Sequence, residues 1–282
     1  MKKIIIMLSA KRCGSTAIFN LFQKHTDIKI LHRQQKIINW EPQFWLYASR
    51  AIKGDFKKFN DRLYETLDFE KNSLKEKYDE ESIFDIFDKI LDKFGPVIFD
   101  KSPQYLGSKE SINLLLKYKN NRPKINFIFF AFIRNPLDAI TSQHELWNKY
   151  TKENSLQKRE KSWLEKYNHL EKIQKKIKVK LYKYEEFCSN PKINTKELMN
   201  YCGLSYSDHL CTHLKKKSSG RYFVSPFSLI KNWKVDSKLL NHMKKYGYKN
   251  DEQKIKLVER IKIYLTSLKR IIAPLFRNLS SK

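Results

Sequence analysis

Ser9-Ala10-Lys11-Arg12-Cys13-Gly14-Ser15-Thr16 decides how this chain folds, because of what stands on either side of it. Before it, residues 4–8 (IIIML) form an uninterrupted apolar run, the mark of a strand buried on both faces. After it, Ala17, Ile18, Leu21 and Phe22 recur on one helical stripe. A strand, a short loop and a helix in that order leave free backbone N–H groups and the positive end of a helix dipole at the loop, which suits an anion. Gly14 lets the backbone approach a ligand closely. Ser15 and Thr16 add hydroxyl donors, and Lys11 and Arg12 bring charge to the same spot. Gly-Ser-Thr alone would also serve as an ordinary turn and helix cap; the two cations and the buried first strand favour an anion site.

The pattern continues outward as alternating strands and helices. Residues 28–31 are a second strand candidate, and residues 43–93 read as mostly helical. The clearest helix there carries Ile83, Phe84, Ile86, Phe87, Ile90, Leu91 and Phe94 on one stripe and ends at Gly95-Pro96. Short strands are expected at 97–99 and 179–182, with the strongest central strand at 125–133 (INFIFFAFI). Asn135-Pro136 opens a helix with Pro near its first position. A charged helix covers about 157–176, Gly203 caps another, and a basic amphipathic helix is expected over 255–275. This alternation implies an α/β fold with a mainly parallel sheet covered on both faces. No repeat and no linker-like composition divides the chain, so 1–282 is read as one domain, with a core over about 4–235 and a basic helical tail over about 250–282.

Composition bounds the partners. Lys and Arg number 57 against 30 Asp and Glu, a formal net charge of +27. Such a charge suits a polyanionic partner, yet the lysines are scattered, as compositional drift would also scatter them. No zinc-finger spacing or RNA-binding signature accompanies them, so nucleic acid is not expected. A peripheral contact between the basic C-terminal helix and a membrane surface is compatible with the charge. Cys13, Cys188, Cys202 and Cys211 contain no CxxC pair and no zinc spacing. Reduced thiols in a cytoplasmic protein are the expectation. MKKIIIMLSA imitates a secretory leader, but Lys11 and Arg12 cut its apolar run short. No run is apolar and long enough to span a bilayer.

Against the nucleoside-triphosphatase loop GxxxxGK[ST], the 9–16 loop lacks the first Gly and places its cations before the second. Lys11-Arg12-Cys13-Gly14-Ser15-Thr16 instead resembles the 5′-phosphosulfate loop of sulfotransferases that use 3′-phosphoadenosine 5′-phosphosulfate (PAPS), with Lys11 where Pro is usual. Arg134-Asn135-Pro136-Leu137-Asp138, with Ser142 in the following helix, is similar to that family's 3′-phosphate segment. Lys217-Ser218-Ser219-Gly220-Arg221 resembles the loop that closes over the nucleotide, and Leu181-Tyr182-Lys183-Tyr184-Glu185-Glu186-Phe187 a strand–helix stretch read as structural. The resemblance spans about 4–235 and is nearest to bacterial and glycan-type members. It implies a three-layer, P-loop-like sulfotransferase fold with PAPS as donor, PAP as product and no metal. Its donor-binding residues would be Lys11, Arg12, Cys13, Gly14, Ser15, Thr16, Arg134, Ser142, Ser219, Gly220 and Arg221.

The catalytic half rests on fewer residues. Glu41, in Trp40-Glu41-Pro42, resembles the acidic base of bacterial and glycan members; His32 and His144 are the alternatives, histidine being the usual acid–base group near neutral pH. Asp100-Lys101-Ser102-Pro103-Gln104-Tyr105 resembles the family's K-[ST]-P-x-Y segment, which would put Lys101, with Arg12, beside the transferred group and leave Asp100 to orient Lys101. The acceptor would bear a hydroxyl, on a carbohydrate or glycolipid by analogy with the glycan members. Two other readings stay open at this point. A P-loop kinase would hold Mg²⁺ through Asp100. A non-enzymatic basic module would bind an acidic glycan or a membrane surface by charge alone.

Overall fold

In the computed structural model, the described residues are 2–31, 41, 43–67, 69–70, 74–147, 156–214, 222, 233–248, 261, 263–266 and 268. Strand β1 (Lys3–Ser9) leads into helix α1 (Ser15–Gln23), then β2 (Lys29–Ile30). Helices α2 (Phe44–Ala51), α3 (Lys57–Leu67) and α4 (Glu80–Phe94) precede β3 (Val97–Lys101). Then come α5 (Lys109–Asn121), β4 (Asn126–Ile133), α6 (Pro136–Trp147), α7 (Leu156–Gln174) and β5 (Val179–Lys183). Helices α8 (Tyr184–Ser189), α9 (Pro191–Tyr201) and α10 (Ser237–Lys245) follow.

The strands form one sheet in the order β2-β3-β1-β4-β5, and every pairing is parallel. Ile4 through Leu8 are fully buried, as a central parallel strand requires. Their alternation divides the core in two. Ile4, Ile6 and Leu8 face a layer built from α2, α4, α5 and α7. Ile5 and Met7 face α1, α8 and α9, where Phe22 stacks on Phe99 at 4.1 Å and on Phe130 at 5.7 Å. The result is the expected three-layer α/β arrangement.

Local signals set the helix ends. Asp79 caps α4 by accepting from the Ser82 N–H, and the Ser82 hydroxyl accepts from the Asp79 N–H in return. Gly203, at φ 61°, follows α9. The second strand is shorter than its apolar run suggested, only Lys29–Ile30. Among the described residues it lies at the sheet edge and pairs with β3 alone.

Topology fixes where a ligand goes. From β1 the chain builds β2 and β3 on one side, then crosses to β4 and β5 on the other. The order therefore reverses at β1/β4, and open α/β sheets bind ligands outside the carboxyl ends of the strands at such a switch point. The residues leaving β1 and β4 there are the 10–14 loop and Arg134.

Candidate active site

The loop after β1 is held in an unusual shape. Arg12 has φ 68° and Gly14 φ 90°, both left-handed, and Gly14 is the N-cap of α1. Glycine is needed at 14 for two reasons. One is its φ. The other is Tyr184, whose Cε2 would lie 2.1 Å from a Cβ at that position. The sequence suggested close approach to a ligand; the ring of Tyr184 is the contact that the structure displays. The Cys13 side chain turns into the core, where the Tyr167 hydroxyl reaches its Sγ at 3.1 Å. Burial pushes the thiol up to about 11, so it is neutral, and what Cys13 can offer a ligand is its backbone N–H.

The 12 and 134 segments interlock. Arg12 Nε donates to Ser142 Oγ at 3.1 Å, and Arg134 Nη1 donates to the Arg12 carbonyl at 3.2 Å. Arg134 is itself oriented from beneath. Its Nε lies 4.0 Å from Glu185 Oε1, which accepts the Asn135 N–H at 2.8 Å, while Glu185 Oε2 accepts from the Tyr248 hydroxyl. The guanidinium carbon stands 5.9 Å from the Tyr184 ring centroid. Burial raises the Glu185 pKa, and Asn135, Arg134 and Tyr248 oppose that rise.

These parts line a cavity of about 300 Å³ bounded by Arg12, Gly14, Ser15, Thr16, Asn20, Arg134, Tyr184 and His213. The sequence reading missed Tyr184, Glu185 and His213 as site residues. The first two lay in the 181–187 stretch taken as structural; their signal is that this stretch begins where β5 reaches the same sheet edge as β4. His213 Nε2 pairs with the Ala17 carbonyl at 2.8 Å and had no sequence signal.

A second group lies at the end of β3. Lys101 Nζ contacts Glu41 Oε1 at 2.7 Å, with the Lys101 side chain 3% and Glu41 17% exposed. Burial raises the Glu41 pKa, while Lys101 and Lys11 pull it down. Lys11 carries the converse balance: burial lowers its pKa, Glu41 raises it and Arg159 lowers it. The Lys11 that replaces the usual Pro thus belongs to the charge cluster around Glu41. Asp100 does not orient Lys101. Neighbours on a strand point to opposite faces, and both carboxylate oxygens of Asp100 accept from the Tyr105 hydroxyl, at 3.3 and 3.0 Å. The partner that holds Lys101 is Glu41.

Among the histidine alternatives, His144 is buried on α6, with its pKa lowered by burial and then by Arg159. His32 lies outside the described residues, as do Ser219, Gly220 and Arg221 and most of the C-terminal tail. Trp233 belongs to the core, its Nε1 donating to Glu160 Oε2 at 3.0 Å. No helix among the described residues is long and apolar enough to cross a membrane.

The interlocked loops, the switch point and the β3 lysine agree with a comparison against known families, in which the sulfotransferase family model matches residues 5–208. This chain belongs to the sulfotransferase family. Among solved structures it is similar to the sulfotransferase domain from the curacin biosynthetic pathway, at 14% identity, a TM-score of 0.55 and coverage of 88% of this chain and 99% of that one. It is also similar to the sulfotransferase domain from the Synechococcus PCC 7002 olefin synthase, at 15% identity, a TM-score of 0.52 and 94% coverage of each chain. At such identities the likeness is one of fold. No curated protein sequence matches this sulfotransferase chain.

Proposed function

We propose that this protein transfers the sulfuryl group of PAPS to a hydroxyl-bearing acceptor, a carbohydrate or glycolipid, without a metal ion. The observation that carries the proposal is the cavity at the β1/β4 switch point, where Arg12, Gly14–Thr16 and Arg134 converge. In this reading the backbone N–H groups of the 10–16 loop and the start of α1 take the 5′-phosphosulfate. Arg134 takes the 3′-phosphate as a planar, charged donor held in place by Glu185. Ser142, bonded to Arg12, ties the two phosphate subsites together.

The reaction follows from the second group. The acceptor oxygen attacks sulfur, its proton passes to a carboxylate oxygen of Glu41, and the bond from sulfur to the bridging phosphate oxygen breaks. Electrons of that bond leave with PAP. Lys101 and Arg12 stabilise the charge growing on the departing oxygen, and Lys101 also holds Glu41 in position. Burial raises the pKa of Glu41, which makes it a stronger base than an exposed carboxylate, while its two lysine neighbours pull against that rise. The kinase reading is weaker, because Asp100 is buried under Tyr105 and already bonded. The +27 charge can attract an anionic acceptor to the enzyme without requiring a separate binding role, and four buried cysteines, none in a disulfide, are consistent with a cytoplasmic location.

Transfer from radiolabelled PAPS to a panel of carbohydrates and lipids, with and without a chelator, tests the proposal. Labelled product at equal rates in both is expected. Transfer that stops on chelation, or no PAPS consumption with any acceptor, contradicts it.

A further inference from the structure

Helix α7 runs past the β1 loop and lays one stripe of side chains along it. Tyr167 donates to the Phe132 carbonyl at 2.8 Å and touches Cys13. One residue before it, Lys166 donates to Ser162 Oγ at 3.0 Å, and its Cε would lie 3.4 Å from a Cβ at Gly107, just beyond β3. Two turns earlier on the same stripe, roughly 10 Å along the axis, stands Arg159. Lys11 lies within electrostatic reach of both: Arg159 acts on Lys11, and Lys11 on Lys166. Arg159 acts also on His144 of α6. Lys11 is thus within electrostatic reach both of two cations of α7 and of Glu41, the partner of Lys101.

Arg159 is the anomaly among them. It is 7% exposed, and its Nε and Nη2 are buried with no hydrogen-bond partner among the described residues. Burial alone lowers its pKa, with no described carboxylate opposing. The adjacent Glu160 is engaged elsewhere, accepting from Trp233 Nε1 and from the Asp236 N–H at 2.7 Å. A buried guanidinium with unmet donors is costly unless an anion meets it. Its five donors form a planar fork shaped for a carboxylate, sulfate or phosphate. Arg159 does not line the donor cavity, yet it acts on Lys11, which acts on the candidate base Glu41.

We propose that Arg159, supported by Lys11 and Lys166, forms an anion subsite for the acceptor, so that the acceptor carries a carboxylate, sulfate or phosphate near the hydroxyl to be sulfated. The inference rests on the sulfotransferase reading above and narrows its acceptor to an anionic class.

Calorimetric titration of PAP-saturated protein with D-glucuronate and with neutral D-glucose, in wild type and Arg159→Met, tests it. PAP titration of each protein comes first, so that a failure of the donor site is seen separately. The expected result is glucuronate binding at least about tenfold tighter than glucose in wild type, a preference lost in Arg159→Met while PAP affinity stays the same. Without ligand, Arg159→Met should melt at the same temperature as wild type or higher, since it removes a buried, unmatched charge. Equal binding of the two sugars, binding of neither, or a preference that survives in Arg159→Met would overturn the subsite. So would a loss of PAP affinity in Arg159→Met, which would place Arg159 on the donor. A large drop in its melting temperature would also overturn the proposal, by revealing an internal counter-ion.

Discussion

At the scale of single residues, the site depends on side chains that constrain one another. Gly14 is constrained from two sides, by its φ of 90° and by Tyr184 at 2.1 Å from a would-be Cβ. Gly14→Ala must move a ring that also faces Arg134. It is expected to cost about 1–3 kcal/mol in strain and to weaken PAP binding, both measurable by thermal melts with and without PAP. A melting temperature and PAP shift like wild type would show the loop to be more pliable than described. Glu41→Gln removes the candidate base and leaves the cavity lining intact. It should lower kcat by about 10²–10⁴ with little change in PAP affinity. Since Glu41 acts ionised and burial raises its pKa, kcat should fall as pH is lowered, starting at a higher pH than for an exposed carboxylate. A flat profile through that region, or unchanged kcat in Glu41→Gln, would move the role to a histidine. Glu185→Gln keeps an acceptor for the Asn135 N–H but loses the charge facing Arg134. PAP should bind it more weakly than wild type, by less than the loss of Arg134 itself.

At the scale of elements, β1 and β4 were legible because burial on both faces leaves long apolar runs in them, 4–8 and 127–133. Residues 125–133 were expected as a strand and Asn126–Ile133 is one; Pro136 was expected near a helix start and opens α6. The motif residues Arg12, Arg134 and Ser142 are brought together, although 130 positions separate Arg12 from Ser142. What stayed hidden was side-chain direction. A sequence cannot say which of two neighbours on β3 faces Glu41, and Asp100 was given to Lys101 when it belongs to Tyr105. Arg159 was hidden as well, because its meaning lies in the charge it brings from α7 to bear on a distant loop. Asp100 also carries a stability signature. Burial raises its pKa from 3.8 to about 7, against the Tyr105 hydrogen bond. The unfolded chain therefore releases this proton first as pH rises, and the folded state loses stability between about pH 4 and pH 7, by up to roughly 1.4 kcal/mol per pH unit. Asp100→Asn still accepts from Tyr105 but cannot ionise. Denaturant unfolding should show it gaining on wild type from pH 4 to pH 7 and then holding a constant advantage. An advantage that did not depend on pH would mean that Asp100 titrates normally.

At the scale of the molecule, a parallel sheet, a chain reversal at β1/β4 and two interlocked arginine segments occupy one edge. The family was legible from the order of those segments. The acceptor was not, since residues 43–93 and the helices beyond β4 follow no code, and only packing shows which of their side chains come near Glu41. The central claim is that the β1/β4 edge binds a 3′-phosphorylated adenosine nucleotide through Arg134. Calorimetric titration of PAP into wild type and Arg134→Ala, in the presence of a chelator, measures this directly. The account predicts saturable binding to wild type, weakened in Arg134→Ala by roughly 100-fold, or about 3 kcal/mol. Absence of PAP binding to wild type, or equal affinity in Arg134→Ala, would contradict it.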